Sequence, residues 1–188
     1  DNNPLSDKFN AAMRRCARIS WGNVPAFQTK EEDARFGRHM ILPSDDFISR
    51  EWVEAMRVST DDYCYPHSCA IVDAASQQAY NITKLSFGTL KYGAGRVVSR
   101  KVVEACGGQL WPSELNKGLD GASHQRITRA GFPVKVVETE GIPITDLKTA
   151  ENLWPYSTWL GSGRTVTIDE ALHMVSPSVR SRIDAMKR

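Results

Sequence analysis

Apolar residues change period along this chain, and the changes divide it into regions. In the first third they recur every three to four residues. Phe9, Ala12, Met13 and Cys16 fall on one face of a helix read from about Asp7 to Ile19. Ser6 reads as its N-cap, Asp7 sits in its first turn, and Gly22 and Pro25 end it. A short helical stretch is expected around Glu31 to Phe36. Ser49 caps a second helix that sets Trp52, Val53 and Met56 on one side and ends before Asp61-Asp62.

Alternation then takes over. Tyr65-Pro66 reads as a turn, Cys69 to Asp73 as a strand, Ala74 to Gln77 as a turn, and Ala79 to Ile82 as the returning strand. Lys84 to Tyr92 offers a third strand, with Leu85, Phe87 and Thr89 alternating. Gly93-Ala94-Gly95 breaks it. From Arg96 the helical period returns through Val98, Val102 and Cys106, until Gly107-Gly108 stop it. The polar stretch from Gln109 to Ala130 reads as a long loop, and Phe132 to Thr139 as a valine-rich strand. Leu147 to Tyr156 reads as a short helix, and Thr167 caps another over Ile168 to Val175. Ser176 then caps a last helix with Pro177 at its first position. Strands cluster in the middle and helices at the ends. That order predicts an α+β fold: a central, mostly antiparallel sheet made of the hairpin near 69–82 plus the strand near 132–139, flanked by N- and C-terminal helices. A single globular domain over 1–188 is expected.

Composition changes this picture little. The 188 residues are 41% hydrophobic and 24% charged, ordinary for a globular chain with one sizeable core. The net charge of +2 gives no general attraction to nucleic acid or an acidic membrane. Basic residues do gather at Arg96, Arg100 and Lys101, at Arg126 and Arg129, and at Arg180, Arg182, Lys187 and Arg188. They keep nucleic-acid binding as a third functional reading, although Glu104 and Asp184 dilute the charge. No apolar run reaches the roughly 18–20 residues of a membrane span. The chain begins Asp1-Asn2-Asn3-Pro4 and carries an even number of cysteines. Both suit a secreted or periplasmic product after cleavage, and the first equally suits a trimmed piece.

The four cysteines allow three pairings. Cys64 and Cys69 would close a small loop at the entry to the hairpin. Cys16 and Cys106 fall on apolar helix faces, where they would pair or stay inert. Cys64, His67 and Cys69 are ligand types for zinc, but Cys-x2-His-x-Cys is not a finger or ribbon spacing, and no metal is expected. Cys69 with His124 or His173 lacks the local signature of a cysteine nucleophile. Gly93-Ala94-Gly95 lacks the third glycine of a dinucleotide loop, because Val98 stands in its place, so no cofactor is expected either.

One acidic motif has a family likeness. Glu138-Thr139-Glu140 follows a strand, Val58-Ser59-Thr60 lies upstream, Arg14, Arg15 or Arg18 stands near the start, and Ile142-Pro143 follows. In these residues the chain resembles the ADP-ribosyltransferase toxins of the cholera and pertussis type. The resemblance implies an NAD-using transferase in which Glu138 and Glu140 are catalytic. The chain departs from the pattern at Asp61, where a second serine belongs, and in carrying its arginine on a helix.

Aromatics supply the leading reading. The Trp154-Pro-Tyr-Ser-Thr-Trp159 stretch sets Trp154, Tyr156 and Trp159 close together in an irregular segment, as recognition patches do. With no catalytic set complete, the sequence favours a binding or assembly module whose partner is another protein.

Overall fold

The computed structural model describes residues 5–22, 37–43, 46–83, 93–149, 156–159 and 163–186; of 14–22 and of Trp159 it describes the backbone only. Helix α1 (Leu5–Gly22) comes first, then strands β1 (Arg38–Ile41) and β2 (Asp46–Ile48) and helix α2 (Arg50–Val58). Strands β3 (Tyr63–Pro66), β4 (Cys69–Asp73), β5 (Gln78–Ile82) and β6 (Arg96–Ser99) follow. Next come α3 (Arg100–Ala105), α4 (Leu119–Arg129), β7 (Lys135–Val137) and β8 (Ile144–Lys148). The chain ends with a 3₁₀ turn at Tyr156–Trp159, β9 (Arg164–Val166), α5 (Ile168–Ala171) and α6 (Pro177–Asp184).

The class is α+β, as expected. The strands form two sheets, ordered β1-β6-β3-β7 and β2-β8-β4-β5-β9. The expected hairpin is β4–β5 of the second sheet, and the expected later strand is β7 of the first. Packing divides the chain into two compact units. One takes Asp1–Ile41, Arg57–Tyr65 and Lys91–Lys135, the other Leu42–Met56, Pro66–Leu90 and Val136–Arg188.

In the first unit β6 runs antiparallel to β1, with Arg38 opposite Ser99, and to β3, with Tyr63 opposite Val98. The helix expected from Arg96 therefore begins later. Val97 and Val98 are β-branched and buried, and suit a central strand. Gly95, at φ +73°, turns the chain so that its N–H donates to Ile41 O at 2.8 Å. Ser99 ends the strand and caps α3, its hydroxyl accepting from Val102 N at 3.3 Å. The expected long loop contains α4, which starts after Gly118 at φ +68°. Its apolar positions are few (Leu119, Ala122 and Ile127), so the period was too sparse to mark it. Tyr65-Pro66, expected as a turn, ends β3 instead. Ser6 does not cap α1. It is buried within the helix, and its hydroxyl accepts from Leu115 N at 2.9 Å. Asn10 grips Trp111 from both sides, accepting from its N–H at 3.2 Å and donating to its carbonyl at 2.8 Å.

In the second unit β8 takes Leu147 and Lys148, the first two residues of the helix expected over Leu147–Tyr156; residues 150–155 of that expectation lie outside the described residues. The strand runs parallel to β4, with Ala70 opposite Thr145 and Asp73 opposite Lys148, and antiparallel to β2. All five of its residues are buried. The stretch alternates too briefly to betray a strand, and partners on both sides hold it extended. One face of the sheet (Ala70, Val72, Ala79, Leu147) packs on Ala171, Leu172 and Ile183. Thr145 Oγ1 donates to Ala171 O at 2.5 Å and ties α5 to that face. Ser49 caps α2 as expected, accepting from Trp52 N at 3.1 Å, and Trp52 and Met56 are buried. Thr167 caps α5, accepting from Glu170 N at 3.0 Å, but the helix stops at Ala171, short of Val175. The last helix has Pro177 in its first turn, as read. The helix expected at 31–36 and the strand expected at 84–92 lie outside the described residues.

Candidate functional site

The parallel β4–β8 pair positions the polar residues of the second unit. Residues in register across neighbouring strands point to one face, and faces alternate along each strand. Ile71 is opposite both Asp146 and Tyr80, and Asp73 is opposite both Lys148 and Gln78. Asp73, Tyr80, Asp146 and Lys148 therefore share the face away from Ala70 and Val72. Lys148 Nζ lies 2.6 Å from Asp146 Oδ2, and both side chains are less than one-tenth exposed. A charge pair this well covered holds its geometry, because separating it would leave one charge buried alone. Asp73, at the carboxyl end of β4, is spent on the hairpin turn. Its carboxylate accepts from Ala75 N at 3.2 Å, Ser76 N at 3.3 Å and Ser76 Oγ at 2.5 Å.

Tyr156 stands beside this face. Its ring lies 5.6 Å from that of Tyr80, tilted by 42°. Its hydroxyl is buried with no hydrogen-bond partner among the described residues. Burial, then Tyr80 and Asp73, push its pKa up to about 12. Tyr80 also lines an open groove of about 320 Å³ with Gln77, Gln78 and Ala79 on one side and Thr165 to Ile168 on the other. The groove runs where β5 meets β9, the last strand of its sheet among the described residues. None of its lining side chains carries a formal charge.

The first unit holds a second polar cluster, centred on Arg96. This arginine is completely buried. Its Nη1 donates to Ser123 Oγ at 2.7 Å, and to Tyr65 Oη and Asp120 O at 3.3 Å each. Its Nη2 meets Asp120 Oδ1 at 3.3 Å. Tyr63 Oη lies 3.0 Å from His124 Nδ1. Burial alone would favour the neutral guanidine, but Tyr65, Asp120 and Tyr63 outweigh it and hold Arg96 charged. Burial pushes the Asp120 carboxyl upward against the pull of Arg96 and the Gly93 N–H. Burial, with Tyr65 adding to it, pushes the Tyr63 phenol well above its ordinary value, so Tyr63 keeps its proton. The cluster joins β3, β6 and α4. Sequence patterning had set Arg96 on a helix surface with Arg100 and Lys101, where a charge usually belongs.

The remaining candidates fall as follows. Glu138 and Glu140 are exposed on the turn after β7, and the side chains of Arg14, Arg15 and Arg18 lie outside the described residues. Thr139 N–H points at His67 Nδ1, 3.4 Å away, which leaves the ring proton on Nε2, facing Ser68 Oγ at 3.2 Å. A nitrogen that donates to serine is not available to take its proton. Cys64, Cys69 and Cys106 are buried free thiols, and the Cys16 side chain is outside the described residues. Burial raises the Cys106 pKa against the pull of Arg126, which makes it a poorer thiolate. Among the described residues no group of three or more His, Cys, Asp or Glu is placed to hold a metal ion, and no helix is long and apolar enough to cross a membrane. Of the aromatic stretch, Tyr156 is placed by its side chain, Trp159 by backbone alone, and Trp154 lies outside the described residues. Tyr80, Asp146 and Lys148 were not singled out from the sequence. A Lys two residues from an Asp, in a run that ends up as a strand, was the one signal for the ion pair.

Comparison with protein-family models, with curated proteins and with solved structures finds no match to this chain. The fold defines it as an α+β protein, and its function is argued from its own side chains.

Proposed function

We propose that this protein is a binding module that takes an extended segment of another protein along β9, against the Tyr80–Tyr156 pair. The observation that carries the reading is that Tyr80 belongs both to the ring pair and to the groove wall. Two tyrosines packed ring against ring offer large, rigid contact area at low entropic cost. The uncharged amide and hydroxyl lining suits main-chain groups rather than an ionic ligand. An edge strand is the element to which an incoming extended chain adds. A secreted or periplasmic setting is a separate proposal and rests on the even cysteine count alone.

The test uses a displayed library of random peptides, selected on the intact protein and read on Tyr80→Ala and Tyr156→Ala. Enriched peptides that lose at least ten-fold in affinity on both variants support the reading. No enrichment, or peptides that bind the variants as well as the wild type, refutes it.

A further inference from the structure

In the first unit the described side chains leave three buried donors unmet, and two of them belong to neighbouring side chains. Arg96 Nε and Trp111 Nε1 are both buried with no acceptor among the described residues. Neither residue is exposed by more than 2%. The two are neighbours, with Arg96 Cζ 6.0 Å from the Trp111 ring and 5.9 Å from the Tyr65 ring. The remaining nitrogens of the guanidinium are committed to Tyr65, Asp120 and Ser123, which fixes its plane. Asn10 clamps the Trp111 backbone on both sides, which fixes the indole. Both donors are thus held still, and a buried donor without an acceptor costs about 1–3 kcal/mol.

We propose that Arg96 Nε and Trp111 Nε1 together bind a small inorganic anion of halide size. Three features choose an anion over water. Both waiting groups are donors, and a water must donate its own two protons in turn. Among the described residues the third unpartnered buried side-chain atom of this unit, Arg38 Nη1, is a donor too, so no described side-chain acceptor there is waiting for a water proton. The charge balance agrees. Fully buried Arg96 has one carboxylate partner, Asp120, at 3.3 Å, and that side chain is 41% exposed. The positive charge is therefore met on one edge by a partly exposed carboxylate, while Nε is buried without an acceptor among the described residues.

Crystals of the full chain soaked in sodium bromide read this directly. The expected result is an anomalous bromide peak within hydrogen-bond distance of both nitrogens. Ordinary water density at that place, with no anomalous signal, overturns the proposal. Thermal unfolding supplies a second reading: sodium chloride is compared with sodium gluconate at equal ionic strength, on the wild type and on Trp111→Phe. Chloride at ten times its Kd is expected to raise the wild-type Tm by roughly 3–5 °C over gluconate, saturably. Trp111→Phe keeps the ring, loses the donor, and is expected to lose most of that shift. Equal wild-type melting in the two salts overturns the proposal. So does a chloride shift of the same size in Trp111→Phe.

Discussion

Replacing Gly93 by alanine sets a Cβ on top of the Asp120 carboxylate, overlapping Oδ1, Cγ and Oδ2. The backbone at residue 93 is not in the left-handed region, and the three nearest atoms to the new Cβ all belong to that carboxylate. Asp120 must swing away, and Arg96, fully buried, then loses its ion-pair partner. Breaking a fully buried pair costs about 3–5 kcal/mol. Asp120 is partly exposed and water takes over some of the interaction, so about 2 kcal/mol is expected for Asp120→Ala. Gly93→Ala adds about 1 kcal/mol for forcing the new methyl into packed space, for about 3 kcal/mol in all. In the double variant the obstacle is gone and the alanine is accommodated, so the total stays at about 2 kcal/mol. The cycle therefore shows a coupling of about 3 kcal/mol. Urea unfolding followed by tryptophan fluorescence measures it: at a slope of about 2 kcal/mol per molar, Gly93→Ala shifts the midpoint by roughly 1.5 M. Additivity of the two substitutions within about 0.5 kcal/mol would refute the placement of Asp120 against Gly93.

Other consequences are as specific. Ser49→Ala removes the hydroxyl that accepts from Trp52 N and is expected to cost about 1 kcal/mol in the same unfolding assay. Burial alone would raise the Asp62 pKa, but Ser99, Lys101 and Arg38 pull it below its ordinary value. Its ionised form therefore contributes stability that is present above the unfolded pKa of about 4 and is lost as pH falls through the lowered folded pKa. An Asp62→Asn variant should be the less stable protein at neutral pH and converge on the wild type in strong acid; parallel curves would contradict this. In a tyrosinate absorbance titration, Tyr156→Phe should remove a component with its midpoint at about 12. Cys64, Cys69 and Cys106 should react with a thiol reagent only after denaturation. A count below three in unreduced, denatured protein would show that some of them are paired, and would favour the oxidising setting.

Where the signal is local, the chain reveals its fold. The β4–β5 hairpin, the Ser49 and Thr167 caps and the Pro177 helix start depend on neighbours a few residues apart, and each lies where patterning places it. Distant partners decide the rest. Val98 fits a helical period, yet β1 and β3 claim it, with Val97, as a strand. Leu147 does the same and is claimed as a strand by β4, where it lies opposite Val72. Arg96 read as a surface charge because its partners, Tyr65, Asp120 and Ser123, lie 24 to 31 residues away. Of the candidate site, Tyr156 was legible as one aromatic in an irregular segment. Its partner Tyr80 was hidden, because an alternating tyrosine in a hairpin looks like ordinary sheet packing.

The most direct measurement of the central claim is the affinity of library-selected peptides for wild type and Tyr80→Ala, with both proteins shown to be folded. A loss of ten-fold or more on removing the Tyr80 ring is the predicted result. Equal affinity for the two proteins would place the binding surface elsewhere and contradict the account.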